Sequence, residues 1–140
     1  SLKASIDLSG TRTQARVSGL MQDQKTTQRL IGEAEAIQRS ARAFLHQSAS
    51  SVWESAYKGE ILTTEQRINL RLASTHGIRQ AARVVDTAYE MVGAGSIFPT
   101  NPIHRRFQDI HVITQHIQGR STHYETAGQF FLGLEPEGNF

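Results

Sequence analysis

The chain of 140 residues is the length of a single domain, and 38% hydrophobic residues with a mean hydropathy of −0.40 suit a core flanked by solvated helix faces. It has no cysteine, which excludes a disulfide scaffold, thiolate metal sites and a cysteine nucleophile. Fifteen Lys and Arg against 13 Asp and Glu leave a net +2 without any block of like charge, so no nucleic-acid partner is expected, and no apolar run reaches the roughly 20 residues of a membrane span.

Only Lys3, Lys25 and Lys58 are lysines, so nearly all cations are arginines, which suit bidentate contacts, including those across subunit interfaces. There is no apolar signal core and no initiator Met. The chain therefore reads as an excised or processed piece of a cytoplasmic protein.

Residues 1–24, rich in Ser, Thr and Gln with Gly10 and Gly19, show no sustained period and read as a polar arm. From residue 25 the pattern changes. Leu30, Ala34, Ile37, Ala41, Phe44 and Ser48 recur at alternating fours and threes, the stripe of a long helix that Gly59 caps. Thr63-Thr64-Glu65-Gln66 has the form of a capping box. Downstream, Ile68, Leu72, Thr75, Ile78, Ala82, Val85, Tyr89 and Val92 mark a second helix of about 28 residues.

Gly93-Ala94-Gly95 ends that helix, and Ser96–Asn101 forms the main loop. Asn101-Pro102 opens a third helix with the stripe Ile103, Phe107, Ile110, Thr114 and Ile117. Gly119 breaks or bends it before a short fourth helix, Ser121 to Leu132. Residues 25–134 thus read as the bundle and 135–140 as a tail. The expected fold is all-α, an antiparallel helical bundle completed by oligomerisation, as a dimer or tetramer, or by an upstream helix.

Four histidines, His104, His111, His116 and His123, fall close together, but spacings of 7, 5 and 7 are not those of helical metal ligands. No metal site is expected. Arg67, Arg71, Arg79 and Arg83 form a stripe at 4, 8 and 4, interrupted by acids and without aromatic interleaving, so it reads as solvated or subunit-facing. The glycine pair at 93 and 95 follows a helix rather than a strand, so capping accounts for it better than a phosphate cradle. On the residues alone, a helical assembly module without chemistry stays open.

The segment G-A-G-S-I-F…N-P-I-H-R-R-F-Q-D-I-H…T-Q-H…Y-E-T-A-G-Q-F-F-L-G-L, with Gly32-Glu33-Ala34-Glu35-Ala36 and Ser40-Ala41-Arg42-Ala43-Phe44-Leu45 upstream, resembles a known family. It is similar to the C-terminal helical domain of the acyl-CoA dehydrogenase superfamily, within the type-2 branch that contains two-component flavin-dependent monooxygenases. The resemblance implies a cofactor of reduced flavin, FAD or FMN, bound with the help of further domains and of a neighbouring subunit. It implies a flavin reductase as partner, a small aromatic or heteroaromatic substrate, and an isolated domain without activity. It makes Gly93, Gly95, Arg105, Asp109 and His111 flavin-side residues, with Gln108 where the family carries arginine. Arg12 and Arg16 fall where members carry an arginine reaching the flavin pyrophosphate.

The resemblance discriminates at 116–118. Many acyl-CoA dehydrogenases place their catalytic glutamate here, in a Glu-Gly pair, whereas this chain has His116-Ile117-Gln118. A flavin-dependent dehydrogenase would need its base elsewhere. Type-2 monooxygenases carry a histidine matching His116, and a buried imidazole there would exchange one hydrogen bond with the reduced flavin.

Overall fold

The computed structural model describes residues 2–11 and 19–138. Among them are five α-helices and no strand: α1 (Leu2–Ser9), α2 (Lys25–Tyr57), α3 (Thr64–Val92), α4 (Pro102–Thr114) and α5 (Thr122–Phe131). Short 3-10 turns occupy Met21–Asp23, Gly93–Ile97 and Ile117–Gly119. The expected helical bundle is the observed fold class. No helix among the described residues is long and apolar enough to cross a membrane.

The helix ends follow local chemistry. At the end of α2, Gly59 has φ +71, its N–H bonds the Ala56 carbonyl, and the Glu60 N–H bonds that of Ser55. These two bonds are the Schellman pairing, and the left-handed residue they need is here a glycine. At the start of α3 the Gln66 N–H donates to Thr63 Oγ1 at 3.1 Å, while the Thr63 N–H donates to Gln66 Oε1 at 3.0 Å. This is the reciprocal capping box that the sequence announces. Thr63→Ala should therefore cost about 1 kcal/mol of local stability, read as faster amide exchange at Gln66; unchanged exchange would show that the cap adds nothing.

Along α2 the fully buried positions are Thr27, Ala34, Ala41 and Ser48, seven residues apart, with Leu30, Ile37 and Phe44 half-buried beside them. A seam of small residues at this spacing lets neighbouring helices approach closely, as in heptad packing. Exposed ion pairs Arg29–Glu33 and Arg39–Glu35 line other positions of the helix.

Contacts divide the chain into two compact units, and α2 and α3 each contribute to both. The first unit comprises residues 1–39 and 80–112. Its core includes Leu2, Ala34 and Val84, with Ile37 packed against them, and Ile103 is completely buried. The second comprises residues 40–79 and 113–140. In it, Phe44 meets His76 edge-on at 6.3 Å, and Gln66 reaches back to Ser51 and Ser55, so these halves of α2 and α3 run antiparallel.

Two expectations are corrected. Residues 2–9, read as irregular, form α1; the helix is only two turns long, with Leu2 and Ser9 buried, and it exists by docking rather than by its own period. The third helix was expected to continue through Ile117, but α4 stops at Thr114, and Ile117 is half-exposed in a separate turn.

Candidate functional site

In the first unit, the link from α3 to α4 is built around its glycines. Gly93 has φ +64, a left-handed conformation that ends α3. Ser96 Oγ donates to the Gly93 carbonyl at 2.6 Å, and Asn101 Nδ2 donates to that of Gly95 at 3.1 Å. The Ile103 N–H in turn donates to Asn101 Oδ1 at 3.0 Å, so Asn101 ties the glycine turn to the first turn of α4. His104 Nδ1 lies 3.2 Å from the Ser96 carbonyl, an acceptor only, which places the ring proton on Nδ1. Gly93 and Gly95 are thus turn-formers whose carbonyls are occupied by side chains of this link.

Along α4, Arg105 Nε and Asp109 Oδ2 stand 3.7 Å apart with side chains 85% and 60% exposed, a surface pair that holds neither group rigidly. His111 is better fixed. Its Nε2 lies 2.9 Å from Asp86 Oδ1 on α3, and its ring meets Phe107 edge-on at 4.5 Å. Phe107 stacks in turn on Tyr89 at 4.2 Å. Aromatic packing thus sets the ring plane and the carboxylate orients it.

In the second unit, His116 has extended backbone (φ −64, ψ 148) and caps the turn Ile117–Gly119. The Gln118 N–H donates to His116 Nδ1 at 3.3 Å. A backbone N–H can only donate, so Nδ1 is the acceptor, and Nε2 carries the proton of the neutral ring. The imidazole is exposed in this chain rather than buried, and the half-exposed Ile113 and Ile117 flank it in sequence.

Side chains from two helices grip this turn. His123 Nε2 donates to the Ile117 carbonyl at 2.8 Å, Thr75 Oγ1 to that of Gln118 at 2.8 Å, and Arg79 Nε to that of Gly119 at 2.8 Å. Arg71 also donates to Gln118 Oε1. Gly119 is buried; a Cβ built there would lie 2.9 Å from the Thr114 carbonyl oxygen and 3.2 Å from Ile78 Cγ2. Burial pushes the Tyr124 phenol up from its ordinary value while the Arg79 guanidinium pulls it down. An open cleft of about 450 Å³, lined by Ile117, Arg120, His123, Glu125, Gln129 and Glu137, borders the same turn.

The arginine stripe is therefore not simply solvated or subunit-facing: Arg71 and Arg79 are half-buried and bonded within the chain. Sequence reading also passed over Thr75 as a functional residue. Its only signal was a hydroxyl set midway between two arginines, at i, i+4 and i+8. Gly93, Gly95, Arg105, Asp109 and His111 belong to the first unit, and His116 to the second. Arg12 and Arg16 lie outside the described residues. No group of three or more His, Asp or Glu among the described residues is placed to hold a metal ion.

A family model described as the acyl-CoA dehydrogenase C-terminal domain matches residues 1–120. An indole-3-acetate monooxygenase of Pseudomonas putida is 37% identical over 106 residues, which are 76% of this chain and 27% of that protein. The enzyme of the same name from Acinetobacter baumannii is 32% identical over 110 residues, 79% of this chain and 28% of that protein. The chain thus spans little more than a quarter of the length of these relatives. Among solved structures, XiaF from Streptomyces sp. in complex with FADH2 and glycerol superposes with a TM-score of 0.92 at 19% identity, covering 99% of this chain and 35% of that one. The 3-HSA hydroxylase from Rhodococcus sp. RHA1 superposes with a TM-score of 0.85 at 21% identity, covering 99% and 36%.

Proposed function

The chain belongs to the acyl-CoA dehydrogenase C-terminal domain family, and from that premise we propose that it forms the helical wall of a reduced-flavin site in a two-component monooxygenase. The substrate is an aromatic or heteroaromatic small molecule, with indole-3-acetate first in line because two relatives carry that name. A separate reductase supplies the flavin, FAD or FMN, in the cytoplasm, and the protein works as a homo-oligomer.

The observation that carries this reading is the state of His116. Its Nδ1 is occupied by the Gln118 N–H, so the neutral ring offers Nε2–H as a single outward donor. Ile113 and Ile117, apolar neighbours in sequence, suit a planar apolar ring whose edge carries hydrogen-bond acceptors. When bound, reduced flavin supplies the two electrons with which dioxygen is cleaved, one oxygen atom entering the substrate and the other leaving as water. His116 would meet the ring with the proton that it holds at Nε2. The half-exposed Ile113 and Ile117 exclude water once covered. Gly93, Gly95, Arg105, Asp109 and His111 shape the flavin side of α4 and the link before it.

The dehydrogenase alternative needs a carboxylate to take a proton from an acyl thioester, and residues 116–118 hold none. The test uses the full-length gene product with reduced FAD or FMN and ¹⁸O-labelled dioxygen, presented with indole-3-acetate and related aromatics. Incorporation of one labelled atom per product is the expected result. Flavin reduction by acyl-CoA in the absence of oxygen, with no labelled product from any aromatic, would overturn it.

A further inference from the structure

Thr75 does not behave like Ser74 and Thr87 on the same helix. On α3, Ser74 Oγ donates to the Leu70 carbonyl and Thr87 Oγ1 to that of Arg83, the usual return to the preceding turn. Thr75, completely buried, instead donates out of its helix to the Gln118 carbonyl, 43 residues away in sequence. Arg79, one helical turn later on the same face, takes the next carbonyl, that of Gly119. His123 takes the preceding one, that of Ile117. Three consecutive carbonyls are thus each held by a separate side chain.

We infer that Thr75, Arg79 and His123 are positioning residues that fix the protonation geometry of His116 through this turn, a role that presupposes the flavin-facing His116 proposed above. The coupling runs through peptide planes. The Ile117 carbonyl and the Gln118 N–H belong to one rigid peptide unit. His123 holds its oxygen, and its N–H meets His116 Nδ1. Thr75 and Arg79 hold the next two planes, so that unit cannot rotate away. With the clamp closed, Nδ1 is an acceptor and Nε2 the donor. With it open, either nitrogen can carry the proton, and the ring no longer presents one defined hydrogen bond.

Thr75→Val keeps the volume but removes the donor, and Thr75→Ser should restore it. The first measurement needs no flavin: carbethoxylation of His116 in the full-length gene product, resolved by mass spectrometry. Tryptic cleavage after Arg106 and Arg120 leaves His111 and His116 in one peptide, so His111 serves as the internal reference. The clamp occupies the one lone pair of the neutral His116 ring, on Nδ1, which carbethoxylation needs, so Thr75→Val should raise its rate about fivefold relative to His111, the order expected when one hydrogen bond is lost. Thr75→Ser should not. Should Thr75→Val fail to fold, Arg79→Gln tests the next bond by the same readout. An unchanged His116 rate in the folded variants overturns the clamp.

The second measurement is a double-mutant cycle on the ratio of hydroxylated product to hydrogen peroxide. If Thr75 acts through His116, adding Thr75→Val to His116→Gln brings no further loss; additive losses overturn the inference. Full coupling in His116→Gln alone defeats the flavin-facing reading instead, while the carbethoxylation rate still judges the clamp by itself.

Discussion

Replacing His116 by Gln in the full-length gene product is expected to divert reducing equivalents from hydroxylated product to hydrogen peroxide, lowering the product-to-peroxide ratio roughly tenfold to a hundredfold. Glutamine keeps a donor near the same place but loses the planar ring and its fixed Nε2–H, so flavin binding should fall less than coupling. The cause is local. The Gln118 N–H on Nδ1 leaves one proton at one defined atom, and an amide on a flexible stem cannot reproduce that. Anaerobic flavin titration beside product and peroxide assays separates the two effects. Equal losses in binding and coupling, or none in either, would remove His116 from oxygen chemistry.

Gly119→Ala is the second change with a large expected effect, and its cause is space rather than backbone conformation, because Gly119 is absent from the glycines with positive φ. The new methyl would sit 2.9 Å from the Thr114 carbonyl oxygen, a contact that real Cβ atoms essentially never show, and 3.2 Å from Ile78 Cγ2. The isoleucine methyl can yield by a few tenths of an ångström, whereas the carbonyl belongs to the last residue of α4. Either α4 frays or the turn is pushed away from α3, breaking the bonds from Thr75 and Arg79. Overpacking of this kind costs about 1–3 kcal/mol. A lowered melting temperature should therefore accompany lost coupling. Native values of both would mean that the turn tolerates displacement.

The two unlike outcomes for α4 mark how far sequence reading reaches. Its start was legible because Asn101 and Pro102 act within one turn: the asparagine oxygen accepts the Ile103 N–H, and proline needs no donor at the first position. Its end was not. Ile110, Thr114 and Ile117 continue the spacing of threes and fours, so periodicity carries the helix past its real stop at Thr114. What stops it is the extended His116 and a turn whose carbonyls take side-chain donors from α3 and α5. The α1 segment failed in the opposite direction: two turns carry too little period to detect, and only the docking of Leu2 beside Ala34 and Val84 makes them helical.

The sequence by itself determined the all-α class, both long helices and their glycine and hydroxyl caps, because helical period and capping act over three to five residues. Its residues at 116–118 also determined that no carboxylate stands where the resemblance places the catalytic glutamate of many dehydrogenases. Only the tertiary structure decided that Arg71, Thr75 and Arg79 serve the turn after His116, since their partners lie 40 to 47 residues away. It alone decided which imidazole nitrogen carries the proton, because that depends on a backbone N–H fixed in place by contacts between distant helices.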